Sequence, residues 1–408
     1  MEVGRTRVYT PAMLLLILIV GISFMGLGFM MPLRAAYGRQ IGASSIELGF
    51  MASVFLLAAF CASPFVGELA DRFGYRRILA IGLFCHMLLM LAYILVQNPF
   101  LLIALRIVEG IASASVLPPA RALVNVMAPS TRQGEALGVI SAAQAVGILL
   151  GPMAGTVLAS AVSYELAFLL AGVSLGLAFV AALFLPGVER DSEAGEHDFS
   201  LLHFRGLFTR PLLLAYLLQL VQQGMQGVLA AVWTIYMLDR GASLPVIGLT
   251  FVTFALPLVV LTPLIGRLSD RYGRYHLTVV GLLLYSVIYI IYSLQLSPFW
   301  LVIMSVVEGL AVSIIQGGVN GLLADVTPGG VKGKVQANFN AAGTLGGFFG
   351  ATVAGFLYAW QPGIPFAAAG IVGLLALTGL FVPAVVRLFP TMSSAPQEVM
   401  EDGVRESV

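Results

Sequence analysis

Twelve apolar runs, each about as long as a helix needs to cross a bilayer, confine this chain to very few folds. They lie near 11–33, 46–66, 78–97, 100–123, 137–160, 165–186, 210–233, 245–265, 277–296, 299–323, 337–359 and 364–389. A hydrocarbon core of ~30 Å takes about 20 residues of helix. It offers no water to unpaired backbone groups, so each segment satisfies its own amides by coiling, and the runs are too continuous for the alternating strands of a barrel. With 59% hydrophobic and 10% charged residues, the chain lies far from the roughly 45–50% apolar and about 25% charged make-up of soluble domains. The expected fold class is an all-α membrane protein.

The cations orient it. With the N-terminus inside, 17 of the 21 Lys and Arg fall on one side, Arg34, Arg39 and Arg240 on the other, and Arg106 within a span. The positive-inside rule then puts both termini in the cytoplasm of a plasma (inner) membrane, and the even span count agrees. The first run is long and leads into more membrane, so it reads as a retained span rather than a cleaved signal. Cys61 and Cys85 read as reduced packing residues, and the four His form no ligand cluster. No metal, cofactor or catalytic residue is expected, and no enzyme.

An internal repeat runs through the chain. An offset of 199 pairs Gly67, Asp71, Arg72 and Gly74 with Gly266, Asp270, Arg271 and Gly273, and without a gap it also pairs Ser44 with Ser243, Gly82 with Gly281, Glu109 with Glu308 and Gly151 with Gly350. Two six-span units of equal orientation follow, related about the membrane normal. The expected division is 1–188 for the first bundle, 189–209 for a cytoplasmic linker, 210–389 for the second bundle and 390–408 for a cytoplasmic tail.

The charged, glycine-punctuated turn Gly67, Asp71, Arg72, Gly74, Arg76 and Arg77 resembles the loop signature of the major facilitator superfamily, and the resemblance covers essentially the whole chain, most like the 12-helix drug:proton antiporters. The resemblance implies two pseudo-twofold-related six-helix bundles that rock about a midplane site. It implies that Asp71, Arg72 and Arg76, with Asp270 and Arg271 in the second copy, latch the cytoplasmic side while the cavity faces outward. Charges that merely hold the loops inside are the alternative. The second copy has Tyr275 where Arg76 stands, so its ionic interactions should be weaker.

Charges within spans are costly and therefore informative. Arg106, Glu109 and Ser113 share a face of the fourth span, either as a structural ion pair or, as the resemblance implies for an Arg near this place, in proton coupling. Glu308 has Ser305 at the position equivalent to Arg106. It is either a proton carrier or an acid held neutral by a neighbouring helix. The antiporters' acid in the first span is missing here. Gln219, Gln222, Gln223 and Gln226 form one stripe of the seventh span and face either a central cavity, as solute contacts, or another helix. Phe24, Met25, Phe29 and Met30, with Trp233 and Tyr236, could add an apolar wall or could simply pack.

Gly147, Gly151 and Gly155, with Pro152, set a small-residue stripe on the fifth span. The stripe serves close packing or, being similar to the antiporter signature of the superfamily, points to export. No GxxxxGK followed by Ser or Thr occurs, so ATP-driven pumping lacks its sequence basis. The expected function is proton-coupled efflux of hydrophobic or amphipathic small molecules. The alternative is a substrate-specific carrier for a sugar, metabolite or lysolipid, working as symporter or uniporter. Expected partners are a small-molecule solute, protons and lipid, with no nucleic acid, and the chain acting as a monomer.

Overall fold

The computed structural model describes residues 9–187, 207–327 and 331–381, and its regular structure is helical throughout. The helices are α1 (Pro11–Gln40), α2 (Ser45–Phe73), α3 (Tyr75–Tyr93), α4 (Pro99–Ser113), α5 (Leu117–Met127), α6 (Gln133–Ala161), α7 (Tyr164–Ala182), α8 (Arg210–Leu238), α9 (Leu244–Tyr272), α10 (Arg274–Ser293), α11 (Pro298–Val326), α12 (Lys332–Trp360) and α13 (Ile364–Leu380). Eleven are long and apolar enough to cross a membrane when α4 and α5 count as the single stretch Pro99–Met127. The shorter apolar α13 makes the twelfth. The expected linker 189–209 lies mostly, and the tail 390–408 wholly, outside the described residues.

Two spans depart from the sequence expectation. The fourth is broken between α4 and α5, because Pro118 and Pro119 lack amide protons and crowd the carbonyls one turn earlier. The 199 offset places Gly317 and Gly318 there in α11, which stays continuous. The first span continues through Pro32 to Gln40, seven residues beyond the apolar run. Arg34, placed by the sequence in an outer loop, is thereby a helical residue inside the protein, only 8% exposed.

The repeat is visible in the backbone. α2 and α9, and likewise α6 and α12, begin and end 199 positions apart. Gly74 sits at φ 91°, ψ 137° and Gly273 at φ 90°, ψ 135°, a left-handed region that a side chain would strain. α1 packs on α6 as α8 packs on α12, α2 on α4 as α9 on α11, and α3 on α7 as α10 on α13. The halves meet along α2–α12 and α6–α9, which the repeat exchanges.

The close approaches between halves lie toward the end that carries Gly42 and Gly241. A Cβ on Gly49 would stand 2.8 Å from Gly355 Cα, and one on Gly248 3.0 Å from Met153 Cα. Phe50 meets Phe356 edge to face. Asp239 of α8's end accepts from Arg39 of the other half at 3.3 Å and from Tyr358 at 2.7 Å. The halves are pinched together at this end.

Arg39→Ala should therefore loosen the pinched end, though modestly. A half-exposed ion pair contributes ~1 kcal/mol at most, about fivefold in a population. The readout is thiol labelling of a cysteine placed at Ser45, whose carbonyl lies against Gly355, in a chain with Cys61 and Cys85 replaced by Ser. Unchanged labelling removes the pair from the closure.

Candidate functional site

Two buried glutamates occupy equivalent stations in the two halves, and their surroundings differ in one respect. Glu109 on α4 is 2% exposed. Its Oε2 accepts from Tyr93 of α3 at 2.8 Å and from Arg106 one turn earlier at 2.9 Å, while Oε1 accepts from Arg34 of α1. Arg106 also reaches the Met51 carbonyl at 3.4 Å and stands 4.0 Å over the Phe55 ring, both on α2. Three helices, α1, α3 and α4, thus meet at one carboxylate, and α2 backs Arg106. The carboxylate is tolerated inside the bundle because both of its oxygens face cations or donors.

Glu308 on α11 is equally buried, and Tyr292 of α10 donates to its Oε2 at 2.9 Å. The Tyr–Glu pair is copied at the same spacing from α3 and α4. The cations are not copied. Trp233 occupies Arg34's position and gives its Nε1–H to Thr250 at 2.9 Å, and Ser305 occupies Arg106's position and meets Thr253. Glu308 Oε1 has no hydrogen-bond partner among the described residues. An aromatic cluster of Trp233, Tyr236, Tyr289, Tyr292 and Phe366 packs alongside. A bare carboxylate there would be a buried charge without compensation, which is costly.

The glutamine stripe divides. Gln222 is 2% exposed and its Oε1 has no hydrogen-bond partner among the described residues. Gln219 and Gln223 lie against Gly343 of α12, where a Cβ would stand 2.9 Å from Gln219 Nε2. Gln226 is half-buried. Phe29 lies with its backbone on Gly155, and Met30 is fully enclosed in the core of the pinched end.

The small-residue stripe of α6 seats α1. Cβ atoms at Gly147, Gly151 and Gly155 would stand 2.7 Å from Met25 N, 2.6 Å from Met25 O and 2.6 Å from Phe29 O. Beside it, Pro152 and Thr156 face Gly248 of the other half. Gly151→Val should lower thermal stability by about 1–3 kcal/mol, since backbone on the facing helix has nowhere to retreat. Survival of a heat step in detergent reads it, and an unaltered melting profile would contradict the close seating.

In the charged turns, Arg72 pairs with Glu68 on its own helix, Tyr75 donates to Asp71 at 2.7 Å, and Arg76 donates to the Leu183 carbonyl at the end of α7. These contacts stay within one half. In the second copy Tyr275 donates to the Leu380 carbonyl at 2.9 Å, so it ties down the last span much as Arg76 does the sixth. Arg274 pairs with Asp325. Arg271 stands 5.5 Å from the Tyr272 ring, and the Asp270 side chain lies outside the described residues.

Sequence reasoning missed Arg34 and the two tyrosines. For the tyrosines the signal was available, because the 199 offset pairs Tyr93 with Tyr292, sixteen residues before each glutamate.

The sequence profile of the Major Facilitator Superfamily matches residues 13–234 and 215–399. An uncharacterized MFS-type transporter of Methanocaldococcus jannaschii is 26% identical over 343 residues, 82% of this chain and 88% of that protein. The Quinolone resistance protein NorA of Staphylococcus aureus is 30% identical over 162 residues, which span 40% of this chain and 42% of NorA. Among solved structures, the nucleoside transporter NupG superposes with a TM-score of 0.78 at 12% identity, covering 91% of this chain and 98% of that one. A POT family transporter in complex with 5-aminolevulinic acid gives 0.74 at 13% identity, covering 94% and 96%. At these identities the structural likeness concerns the fold alone.

Proposed function

The chain belongs to the Major Facilitator Superfamily and is a secondary transporter, and from that premise we propose that it exports hydrophobic or amphipathic small molecules in exchange for protons. Residues 1–188 and 210–389 are the two halves that alternate about a central site, with 189–209 joining them and 390–408 as a tail. The membrane is the plasma membrane and both termini lie in the cytoplasm, an orientation that the cation bias supports. The pinched end is then the outer one.

One observation carries the reading: the same Tyr–Glu station is built twice, and only the copy at Glu308 lacks cations. Glu109 is held by two arginines and serves as a fixed ion pair. Glu308 is the group free to gain and lose a proton, with Arg106 and Glu109 as the static counterpart. Gln219, Gln222, Gln223 and Gln226 supply amides to the solute as the halves part. A partial relative whose name records quinolone resistance leans toward export. One proton moving down ~100 mV supplies about 2.3 kcal/mol, enough to drive a solute against a modest gradient.

The experiment is dye flux in inside-out vesicles with a pH gradient of either sign, using cationic and anionic amphipathic dyes. Export by exchange predicts accumulation when the lumen is acid. Accumulation only when the lumen is alkaline would overturn exchange and assign co-transport by a substrate-specific carrier.

A further inference from the structure

The Glu109 cluster is not electrically balanced. Two guanidinium groups, of Arg34 and Arg106, face one carboxylate, so a positive charge is left over inside the membrane domain. The acids of α2, the helix behind Arg106, are engaged elsewhere: Glu47 closes a capping box with Ser44, Glu68 pairs with Arg72, and Asp71 accepts from Tyr75. α3 brings Tyr93 and His86, the latter bonded to the Gly82 carbonyl at 2.9 Å, and neither carries a negative charge in these contacts. Arg34 Nε, on a side chain 9% exposed, has no hydrogen-bond partner among the described residues. A surplus buried charge and a surplus buried donor on the same residue are both costly unless something anionic arrives to match them.

From this we infer that the Arg34–Arg106 pair is an anion subsite and that the transported solutes include amphipathic carboxylates, whose charged end is taken by the Arg34 guanidinium while the apolar body lies among the aromatic and aliphatic side chains of the bundle. Arginine suits this role because its planar fork keeps donors to spare when one edge is already committed to Glu109. The opposite station accords with it. Glu308 has no cation to lose, so an arriving anion does not compete for its partner, and the proton and the anionic solute occupy separate halves. The inference rests on the reading of the chain as a transporter of amphipathic compounds, but not on the direction or coupling of transport.

Equilibrium binding to the purified full chain, without any gradient, separates the two. The probes are 2-naphthylacetate, its methyl ester and 2-(2-naphthyl)ethylammonium, which share an aromatic body and differ in charge. The carboxylate should bind about tenfold or more tighter than the ester, the step expected for one good charged contact, and the ammonium should bind weakest. Arg34→Gln, which leaves a one-to-one Arg106–Glu109 pair, should abolish the preference, and Arg34→Lys should keep part of it. Each measurement is made in chloride and in gluconate buffer. Equal binding of acid and ester by wild type would overturn the subsite, whatever the variants do. So would chloride abolishing the preference at millimolar concentration, which would assign the surplus charge to a resident inorganic ion. Failure of pH-driven flux with the carboxylate preference intact would overturn only the exchange mechanism.

Discussion

Glu308→Gln is expected to cut pH-gradient-driven flux at least about tenfold, equivalent to ~1.4 kcal/mol or more of lost coupling, while the protein purifies and melts like wild type. The amide has nearly the shape of the acid and keeps an oxygen for the Tyr292 hydroxyl, which now stands 2.9 Å from Oε2. It has no proton to exchange. No cation is stranded by the change, because the positions that carry Arg34 and Arg106 in the first half are Trp233 and Ser305 here. Solute exchange without a pH gradient should persist. Retained gradient-driven accumulation would remove Glu308 from the mechanism.

The second large effect is on stability and comes from the other station. Glu109→Ala strands two buried guanidinium groups together with the Tyr93 hydroxyl. Removing one partner of a buried pair costs about 3–5 kcal/mol, and here both arginines lose the same partner. Arg34→Gln leaves charge balance behind and should cost much less. Thermal unfolding in lipid nanodiscs should rank Glu109→Ala far below Arg34→Gln. Equal or reversed melting points would show that Glu109 is not the keystone of the three helices that its contacts join.

Much of this was legible in the sequence, for identifiable reasons. The twelve spans follow from the length and continuity of the apolar runs, and the two halves from one unbroken register that includes Gly74 and Gly273, whose dihedrals agree within 2°. The Arg106–Glu109 pair was readable because both lie on one helix face, and the cation-poor environment of Glu308 because Ser305 stands in for Arg106. Arg34 was not readable. It follows Pro32 at the end of an apolar run, which looks like a helix stop, and its partner is 75 positions away. The helix nevertheless continues, because residues beyond Pro32 are packed at the pinched end. Closure at that end was also hidden, since it depends on glycines of different halves, such as Gly49 and Gly355, meeting in space.

The account stands on one acid exchanging its proton as solute comes and goes. The direct measurement is proton release from the purified protein in weakly buffered solution on adding a saturating amphipathic solute. Wild type should release protons, Glu308→Gln should bind the solute and release none, and Arg106→Gln should not abolish release. Undiminished proton release from Glu308→Gln would contradict the account.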